Sequence, residues 1–288
     1  MVNSRGAHQM MQVQTAPAMH STPTVSFLIP AHNRPEELKA ALASCLTQSC
    51  DAWEAVVVDD HSNEADLQAL VAAFGDERLR YARLADGQRG VSAARNQAIA
   101  LAHSPRLLTL DSDDLNNPHR AARCQELLDP NKPQLIYTRV RLFSESRPAG
   151  RPKPVLQPFS ADLLEMVNFI TNPGTAFTRK AFESAGEGFR PSLSLAEDYD
   201  VYLRMARAGV TINAIDEEHV SYRKHPKATT SRRQAELHEA VMTVRRLNGV
   251  KPFPIEAIRA HALPELARNL LDNPAQRAMW QDDRWSDA

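Results

Sequence analysis

The sequence predicts an α/β fold with a mostly parallel central sheet flanked by helices. Two observations lead to this class. Short apolar segments alternate with helical segments over residues 24–115, and polar residues follow several of the apolar segments where a strand would end. The chain of 288 residues is long enough for one large domain, or one domain with an appendage, around a substantial core.

The first half of the chain contains four predicted strands. The first is an apolar run that begins at Val25, and we expect Pro30 to end it. The other three cover 55–58, 80–84 and 107–110. Continuous apolar runs of this length are typical of strands that are buried on both faces, as in a parallel sheet.

Three helices are predicted between these strands. Apolar residues recur at helical spacing within 36–47, they share one face within 64–74, and the segment 92–102 is rich in alanine. Strand–helix–strand connections are right-handed and bring successive strands side by side or nearly so. The four strands are therefore expected to belong to one sheet.

The second half of the chain has a different pattern. Candidate strands at 134–143 and 174–178, with a helix over 197–208, predict a mixed α+β half that completes the same sheet. Residues 231–288 are predicted to form a helical C-terminal extension that is broken near several prolines.

The composition excludes several classes of protein. With 34 Lys and Arg against 35 Asp and Glu, the chain lacks the basic excess that a nucleic-acid-binding protein needs, so we expect no nucleic-acid partner. No stretch approaches the roughly 18–20 apolar residues that cross a bilayer. Residues 1–23 lack periodicity and the apolar core of a secretory signal, which predicts a flexible tail on a cytoplasmic protein. Cys45, Cys50 and Cys124 are predicted to be reduced thiols.

Polar clusters follow three of the predicted strands. Residues 30–33 follow the first strand, Asp59 and Asp60 end the second, and 111–114 follow the fourth. In an open α/β sheet, ligands bind beyond the carboxyl ends of the strands. The three clusters are therefore expected to meet at one rim, although they are far apart in sequence.

The Asp-Ser-Asp-Asp cluster at 111–114 suggests a cation site. Neighbouring carboxylates repel one another unless a cation or a proton intervenes, and hard oxygen ligands suit Mg²⁺ or Mn²⁺. The alternative is a solvated turn that caps the next helix, with Asp114 and Asn116 as the capping residues. Asp59 and Asp60 have a similar alternative, a polar turn at the end of a strand.

Glycines do not form a phosphate-binding loop in this sequence. Gly90 precedes a predicted helix start, near which an anion could rest. Gly87 and Gly90 are too few and wrongly spaced for a dinucleotide fingerprint, and there is no P-loop. If phosphates bind, we expect a metal ion to hold them.

Seven segments, in order, carry a resemblance to a known family. They are VSFLIPAHN at 25–33, VVDDHS at 57–62, Gly90 with ARN at 94–96, LDSDD at 110–114, NPGT at 172–175, AEDYD at 196–200 and YRKH at 222–225. Together they resemble the GT-A glycosyltransferases of family 2, an inverting family that uses nucleotide-diphosphate sugars. One departure is His32, where the family often has tyrosine; the aromatic ring is retained and could stack on the base.

The resemblance implies a GT-A type, Rossmann-like sheet. Residues 24–115 would form the nucleotide-sugar-binding half, and 116–230 the acceptor and catalytic half of the same domain. Asp60 would bind the base, which is uracil if the donor is a UDP-sugar. The nucleotide-binding residues implied in this way are Pro30, His32, Asn33, Asp60, Arg95, Asp111 and Ser112.

The resemblance also implies a metal site and a catalytic pair. Asp113 and His225 would bind Mn²⁺ or Mg²⁺, although His225 could equally be a surface histidine before a proline. Asp198 would be the general base, with Glu197 as its neighbour. The alternative for this pair is ordinary acidic charge at the start of a helix. The acceptor would contact Asn172, Gly174 and Thr175.

The activity implied is inverting transfer of a sugar to the hydroxyl of a glycan, lipid-linked or small-molecule acceptor, in glycan or polysaccharide biosynthesis. One alternative is a non-catalytic protein that binds nucleotide sugars. Another is a sugar-phosphate nucleotidyltransferase, which would have a glycine-rich loop after the first strand, whereas 30–35 contains no glycine.

The C-terminal extension also has alternative interpretations. Residues 231–288 could form a homodimer contact, or lie on the inner face of the membrane. In the membrane case, Arg232, Arg233, Arg245 and Arg246 would face anionic lipid and an apolar stripe would face the acyl chains. We favour packing of this stripe on the extension's own domain. The members of the stripe are Leu237, Val241, Val244 and Leu247.

Overall fold

A computed structural model describes residues 22–225, 233–251, 253–254, 257–272 and 274. The predicted tail at 1–23 lies outside these residues except for its last two. Parts of the predicted helical extension also lie outside them, including both of its tryptophans, Trp280 and Trp285.

The first half forms the predicted parallel sheet. Its four strands are adjacent in the order β3-β2-β1-β4, and all of their pairings are parallel. The strands and the intervening helices are β1 (Val25–Ala31), α1 (Pro35–Leu46), β2 (Trp53–Asp59), α2 (Leu67–Ala72), β3 (Leu79–Arg83), α3 (Val91–Leu101) and β4 (Arg106–Thr109). Helix α2 is shorter than predicted because Asp66 caps its start, accepting a hydrogen bond from the Ala69 amide at 2.9 Å.

The prediction that Pro30 ends the first strand is wrong, because β1 continues to Ala31. The pairing of β1 with β4 stops at Leu28, opposite Thr109, whereas its pairing with β2 continues to the end. A proline is tolerated at a strand position that lacks a neighbour on one side, because fewer ladder hydrogen bonds depend on its amide.

The second half extends the sheet with mixed pairings, as predicted. Beyond β4 the order is β8-β6-β9-β5, with β7 paired to β6. Strand β8 is antiparallel to β4 and β6, while β9 runs parallel to β6. The elements are β5 (Leu115–Asn116), α4 (Arg120–Leu127), β6 (Gln134–Ser144), β7 (Arg147–Pro152), α5 (Ala161–Met166), a 3-10 turn (Asn172–Gly174), β8 (Thr175–Thr178), α6 (Arg179–Ser184), α7 (Glu197–Arg207) and β9 (Thr211–Arg223).

The sheet is buried on both faces. Side chains alternate along β1, so that Phe27 and Ile29 pack on the side of α1 and α4 while Leu28 packs on the side of α3 and α7. Strand β2 alternates in the same way. The continuous apolar runs in the sequence follow from this double burial.

The described part of the C-terminal extension packs on its own domain, as favoured from the sequence for Val244, whereas Leu247 of the predicted stripe is 49% exposed. Helix α8 (Gln234–Leu247) contacts α7, and its Val244 is fully buried in the main core. Helices α9 (Ile258–His261) and α10 (Pro264–Leu271) pack against α5. Within the described part of the chain, no helix has both the length and the apolar character needed to span a bilayer.

A fully buried arginine joins the two halves of the sheet. The Arg120 side chain, on α4, donates to the carbonyl oxygens of Thr109 on β4 and Thr175 on β8, at 2.8 and 2.9 Å. It also donates to the Asn116 amide oxygen at 2.8 Å. Arg120 therefore satisfies backbone acceptors where the parallel strands meet the antiparallel ones.

Replacing this guanidinium tests its structural role. We expect Arg120→Met to lower the free energy of unfolding by on the order of 3 kcal/mol, because three buried acceptors lose a charged donor. The matched control is Arg123→Met on the same helix, whose guanidinium lies at the surface beside Glu126 and Glu217. Urea unfolding would contradict this role if the two variants lost the same stability.

Candidate active site

One cavity of about 1130 Å³ lies at the carboxyl ends of the parallel strands. Its wall is completed by the end of β9, the start of α7 and one side of α8. The predicted clusters therefore share one rim. The predicted site residues that line the cavity are Pro30, His32, Asn33, Asp60, Arg95, Asp111, Ser112, Asp113, Asn172, Glu197, Asp198 and His225.

Two predicted acceptor contacts lie behind the cavity wall, which corrects the prediction for Gly174 and Thr175. Thr175 is fully buried, and its hydroxyl hydrogen bonds to the Asn172 carbonyl at 2.8 Å. A Cβ at Gly174 would meet the Thr138 carbonyl oxygen at 3.1 Å, so this glycine permits close packing of the chain. Asn172 is the member of the predicted trio that faces the cavity.

Asp60 faces the cavity, whereas Asp59 does not. Asp59 is buried, and its carboxylate accepts hydrogen bonds from the Tyr81 hydroxyl and the Arg83 guanidinium. Hydrogen bonds from Ser62, including its amide at 2.8 Å, together with these two partners hold the pKa of Asp59 below its usual range, against the opposing effect of burial. Asp60 Oδ2 accepts a hydrogen bond from the Gly90 amide at 2.9 Å. The anion at the start of α3 is therefore the carboxylate of Asp60.

The loop after β1 is tied to the loop after β2. His32 Nδ1 donates to the Asp60 carbonyl at 2.7 Å, and Asn33 Oδ1 accepts from the amides of Asn63 and Glu64. These bonds fix the loop that carries His32 and Asn33, two predicted nucleotide-binding residues, relative to the loop that carries Asp60. They also leave the Asp60 carboxylate and the His32 ring at the cavity surface.

Backbone strain is concentrated at this rim. The non-glycine residues with a positive φ in the described chain are Asn33, Arg34, His61 and Ala196, with φ between 55° and 58°. Each follows or precedes an element that lines the cavity. The left-handed conformation costs roughly 1–2 kcal/mol for a residue with a side chain, and such residues cluster at functional sites.

Asp113 and His225 meet although 112 residues separate them, because β9 ends beside the loop after β4. His225 Nε2 lies 3.1 Å from Asp113 Oδ2. Arg223 holds this arrangement: its amide donates to Asp114 Oδ1 at 2.7 Å and its Nε to the Asp113 carbonyl at 2.8 Å. Arg34, which the sequence analysis did not single out, forms an ion pair with Asp113.

The capping interpretation of Asp114 and Asn116 is wrong. Asp114 is fully buried and accepts from the Arg223 amide, and Asn116 accepts from Arg120. Helix α4 begins after His119, without a side-chain cap. Burial and the negative charges of Asp111 and Asp113 raise the pKa of Asp114 well above its ordinary value. Asp114 therefore anchors β9 to the loop.

The side chains present fit a divalent cation that arrives with a diphosphate. Among the residues that the structure describes, no group of three or more His, Cys, Asp or Glu side chains is arranged to hold a metal ion. Asp113 and His225 would supply one carboxylate and one imidazole. The other positions would be left to water and substrate phosphates, which is how Mg²⁺ is usually bound.

A buried arginine holds Glu197, one member of the predicted catalytic pair. The Arg95 side chain is 4% exposed, and its guanidinium donates to Glu197 and to Asp111 Oδ1, the latter at 2.9 Å. The resemblance to the family implies that Arg95 contacts the nucleotide. The structure adds that both of its terminal nitrogens are engaged by carboxylates from two elements, the loop after β4 and the start of α7.

Asp198 has the environment of a base. Burial and the neighbouring charge of Glu197 raise its pKa to about 7, and Arg95 acts in the opposite direction. A carboxyl group with a pKa near neutrality can accept a proton efficiently at physiological pH. The interpretation of this pair as ordinary helix-start charge does not explain why Asp198 lines the cavity with Asp111 and Asp113.

A hydrogen-bonded pair behind the wall orients Asn172. The Tyr202 hydroxyl, fully buried on α7, donates to Asn172 Oδ1 at 2.8 Å. The Asn172 amide nitrogen points toward Asp111 Oδ1, at 3.5 Å. Nothing in the sequence signals Tyr202, because an apolar helical position predicts only core packing.

Comparisons with known proteins bear on the family and the fold of this chain. The family model described as glycosyl transferase family 2 matches residues 26–186. A putative colanic acid biosynthesis glycosyl transferase, WcaA of Escherichia coli strain K12, is 32% identical over 197 residues, 65% of this chain and 67% of the relative. The succinoglycan biosynthesis protein ExoO of Rhizobium meliloti is 33% identical over 195 residues, 64% of this chain and 56% of the relative.

A solved structure shares the fold. The crystal structure of S. aureus TarS 1-349 in complex with UDP-GlcNAc superposes with a TM-score of 0.63 at 16% identity, covering 89% of this chain and 78% of that one. The family match ends at residue 186, so the acidic pair on α7, the end of β9 and helix α8 lie beyond it.

The environment of Asp198 can be measured directly. A ¹³C-carboxyl NMR titration should give Asp198 a pKa of about 7, and Glu197→Gln should lower it because a neighbouring negative charge is removed. The control is Glu187→Gln, an exposed carboxylate that pairs with Arg190 and should leave the titration unchanged. An Asp198 that titrates near its ordinary value in the unmodified protein would refute the interpretation.

Proposed function

The chain is a glycosyltransferase that belongs to glycosyl transferase family 2, and we propose that it transfers a sugar from a nucleotide-diphosphate donor to an acceptor hydroxyl in glycan or polysaccharide biosynthesis. One observation carries the proposal. The cavity that holds Asp60 and Asp113 also holds Asp198, so that nucleotide, metal and base functions meet in one place.

The donor we propose is a UDP-sugar. Asp60, held by the Gly90 amide, and the ring of His32 offer a hydrogen-bond acceptor and a stacking surface for a base. The complexes of TarS with UDP and UDP-GlcNAc support the choice of nucleotide. Asp111, which forms an ion pair with Arg95, would face the ribose or the sugar.

Asp113 and His225 would hold the divalent cation, either Mn²⁺ or Mg²⁺. Bound there, the cation would neutralise negative charge on the diphosphate. Arg34 forms an ion pair with Asp113. Since Arg34 also lines the cavity, its guanidinium could turn from Asp113 to a phosphate oxygen when the nucleotide binds.

The reaction we propose is a single displacement with inversion. The acceptor oxygen attacks the anomeric carbon while the bond from that carbon to the phosphate oxygen breaks, and the nucleotide diphosphate leaves with the electron pair. Asp198 takes the proton of the attacking hydroxyl, a contribution typically worth about 10²–10⁴ in rate. Glu197, held by Arg95, places a second carboxylate beside Asp198, which favours proton uptake by Asp198.

The two alternative functions considered from the sequence are not supported equally. The family match argues against a sugar-phosphate nucleotidyltransferase. A non-catalytic protein that binds nucleotide sugars would keep the donor side of the cavity but would not need Asp198. Replacement of Asp198 distinguishes that alternative from an enzyme.

Removal of the proposed base should separate chemistry from binding. We expect Asp198→Asn to reduce transfer, or slow hydrolysis of a UDP-sugar, by at least about 100-fold while UDP affinity is retained, because only proton acceptance is lost. The control is Asp162→Asn, an exposed carboxylate at the start of α5. Parallel loss of UDP affinity and activity would instead make Asp198 structural, and unchanged activity would exclude it as the base.

Removal of the proposed metal ligand should change the metal dependence of binding. In calorimetric titrations, Mn²⁺ should strengthen UDP binding to the unmodified protein, and Asp113→Ala should abolish that gain because the carboxylate ligand is missing. Asp86→Ala, in an exposed loop, is the control. A metal-dependent gain of the same size in Asp113→Ala would exclude Asp113 as a ligand.

A further inference from the structure

Strands β6, β7 and the end of β9 carry several basic residues, and the two on β6 are neutralised by carboxylates of β9. Arg139 forms an ion pair with Asp216, and Arg141 Nε lies 2.8 Å from Glu218 Oε2. Both pairs join β6 to β9, so they have an evident structural role. These arginines leave little charge for a ligand.

Lys153 is an exception. Its ammonium group is partly buried and donates to the Thr171 hydroxyl at 2.7 Å. Within the described part of the chain, no carboxylate lies at ion-pair distance from it. Burial lowers the pKa of Lys153, and the positive charge of Lys224 lowers it further. A partly buried cation beside a second cation costs free energy unless an anion compensates both.

Lys224 has no carboxylate partner among the described residues either. It follows Arg223 at the end of β9, and its ammonium group lies 4.8 Å from the centroid of the Tyr222 ring. A cation over an aromatic face is weakly stabilised and still able to bind an anion. Arg223 and His225, the chain neighbours of Lys224, line the large cavity, as does Tyr222.

Thr171 connects Lys153 to the cavity. Thr171 lines the cavity next to Asn172, which accepts a hydrogen bond from Tyr202 on α7, the helix that carries Asp198. Its hydroxyl oxygen accepts from Lys153, which leaves its own hydrogen available as a donor. Lys153, Thr171 and Lys224 together offer two positive charges and a hydroxyl donor, the groups that bind phosphate and carboxylate.

We propose that Lys153, Thr171 and Lys224 form an anion subsite for the acceptor, so that the acceptor of this enzyme carries a phosphate or carboxylate group close to the attacking hydroxyl. The proposal rests on the function proposed above and names the substrate class for the same cavity. The donor diphosphate would be held by Asp113, His225 and the metal. Lys153 and Lys224 would then remain for a second anion.

The subsite can be tested while the donor site is full. Inorganic phosphate is titrated by calorimetry into the protein saturated with UDP and Mg²⁺. We expect phosphate to bind this complex, Lys153→Met to weaken binding at least tenfold, and Lys153→Arg to retain it within a few-fold. The control is Lys180→Met, an exposed lysine that donates to the Asn131 carbonyl and should change nothing.

A second variant protects the test against misfolding. Lys224 is exposed, so Lys224→Met should fold, and we expect it to weaken phosphate binding as well. Titrations with glucose 1-phosphate and glucuronate then distinguish an acceptor phosphate from an acceptor carboxylate. Weaker binding of the preferred compound to Lys153→Met supports the subsite.

Three results would overturn the inference. They are absence of phosphate binding to the UDP complex, equal binding by Lys153→Met and the unmodified protein, and phosphate binding that UDP abolishes. The last would assign the lysines to the donor diphosphate. A protein that fails to bind UDP contradicts the proposed function itself, whereas a protein that binds UDP without phosphate contradicts only the subsite.

Discussion

Carboxylate repulsion is the constraint on which this site depends. The rim of the sheet collects acidic side chains from the loop after β4 and from the start of α7, and several of them are buried. Like charges at such short range are unfavourable in a low-dielectric interior. Arginines offset the repulsion: Arg95 joins Asp111 to Glu197, and Arg34 pairs with Asp113. These ion pairs hold elements distant in sequence in one geometry. A divalent cation brought by a diphosphate would enter a site already arranged for positive charge.

The topology explains how the two kinds of chemistry come together. The parallel half delivers the loops after β1, β2 and β4 to one edge, where ligands of open α/β sheets bind. The mixed half brings the start of α7 and the end of β9 to the same edge, because β9 runs parallel to β6 and pairs with β5 beyond the acidic loop. Helix α8 then closes one side of the cavity.

The parallel half was predictable because each of its features is local. Apolar runs of strand length, helical spacing and polar residues at strand ends all follow from double burial of the sheet, and they led to a rim with Asp60 and Asp113. The prediction for Asp198 came from the resemblance to the family instead. Strand β9 was missed, because its half-exposed sequence TINAIDEEHVSYR lacks an apolar run. Arg34 and Lys153 were also missed, since their significance depends on partners more than 15 residues away. The segment that contains Thr175 lies beside the cavity as predicted. The sequence does not show which side chains of this turn face the cavity and which, like Thr175, are buried behind it.

The central claim is that one cavity holds the nucleotide, its metal ion and the base. A crystal structure of the protein with UDP and Mg²⁺ tests it most directly. We expect the uracil ring against Asp60 and His32, and the ion bound by Asp113 and His225. We also expect Asp198 to lie across the cavity, beyond the terminal phosphate. UDP bound outside this cavity, or an ion held away from Asp113, would contradict the account.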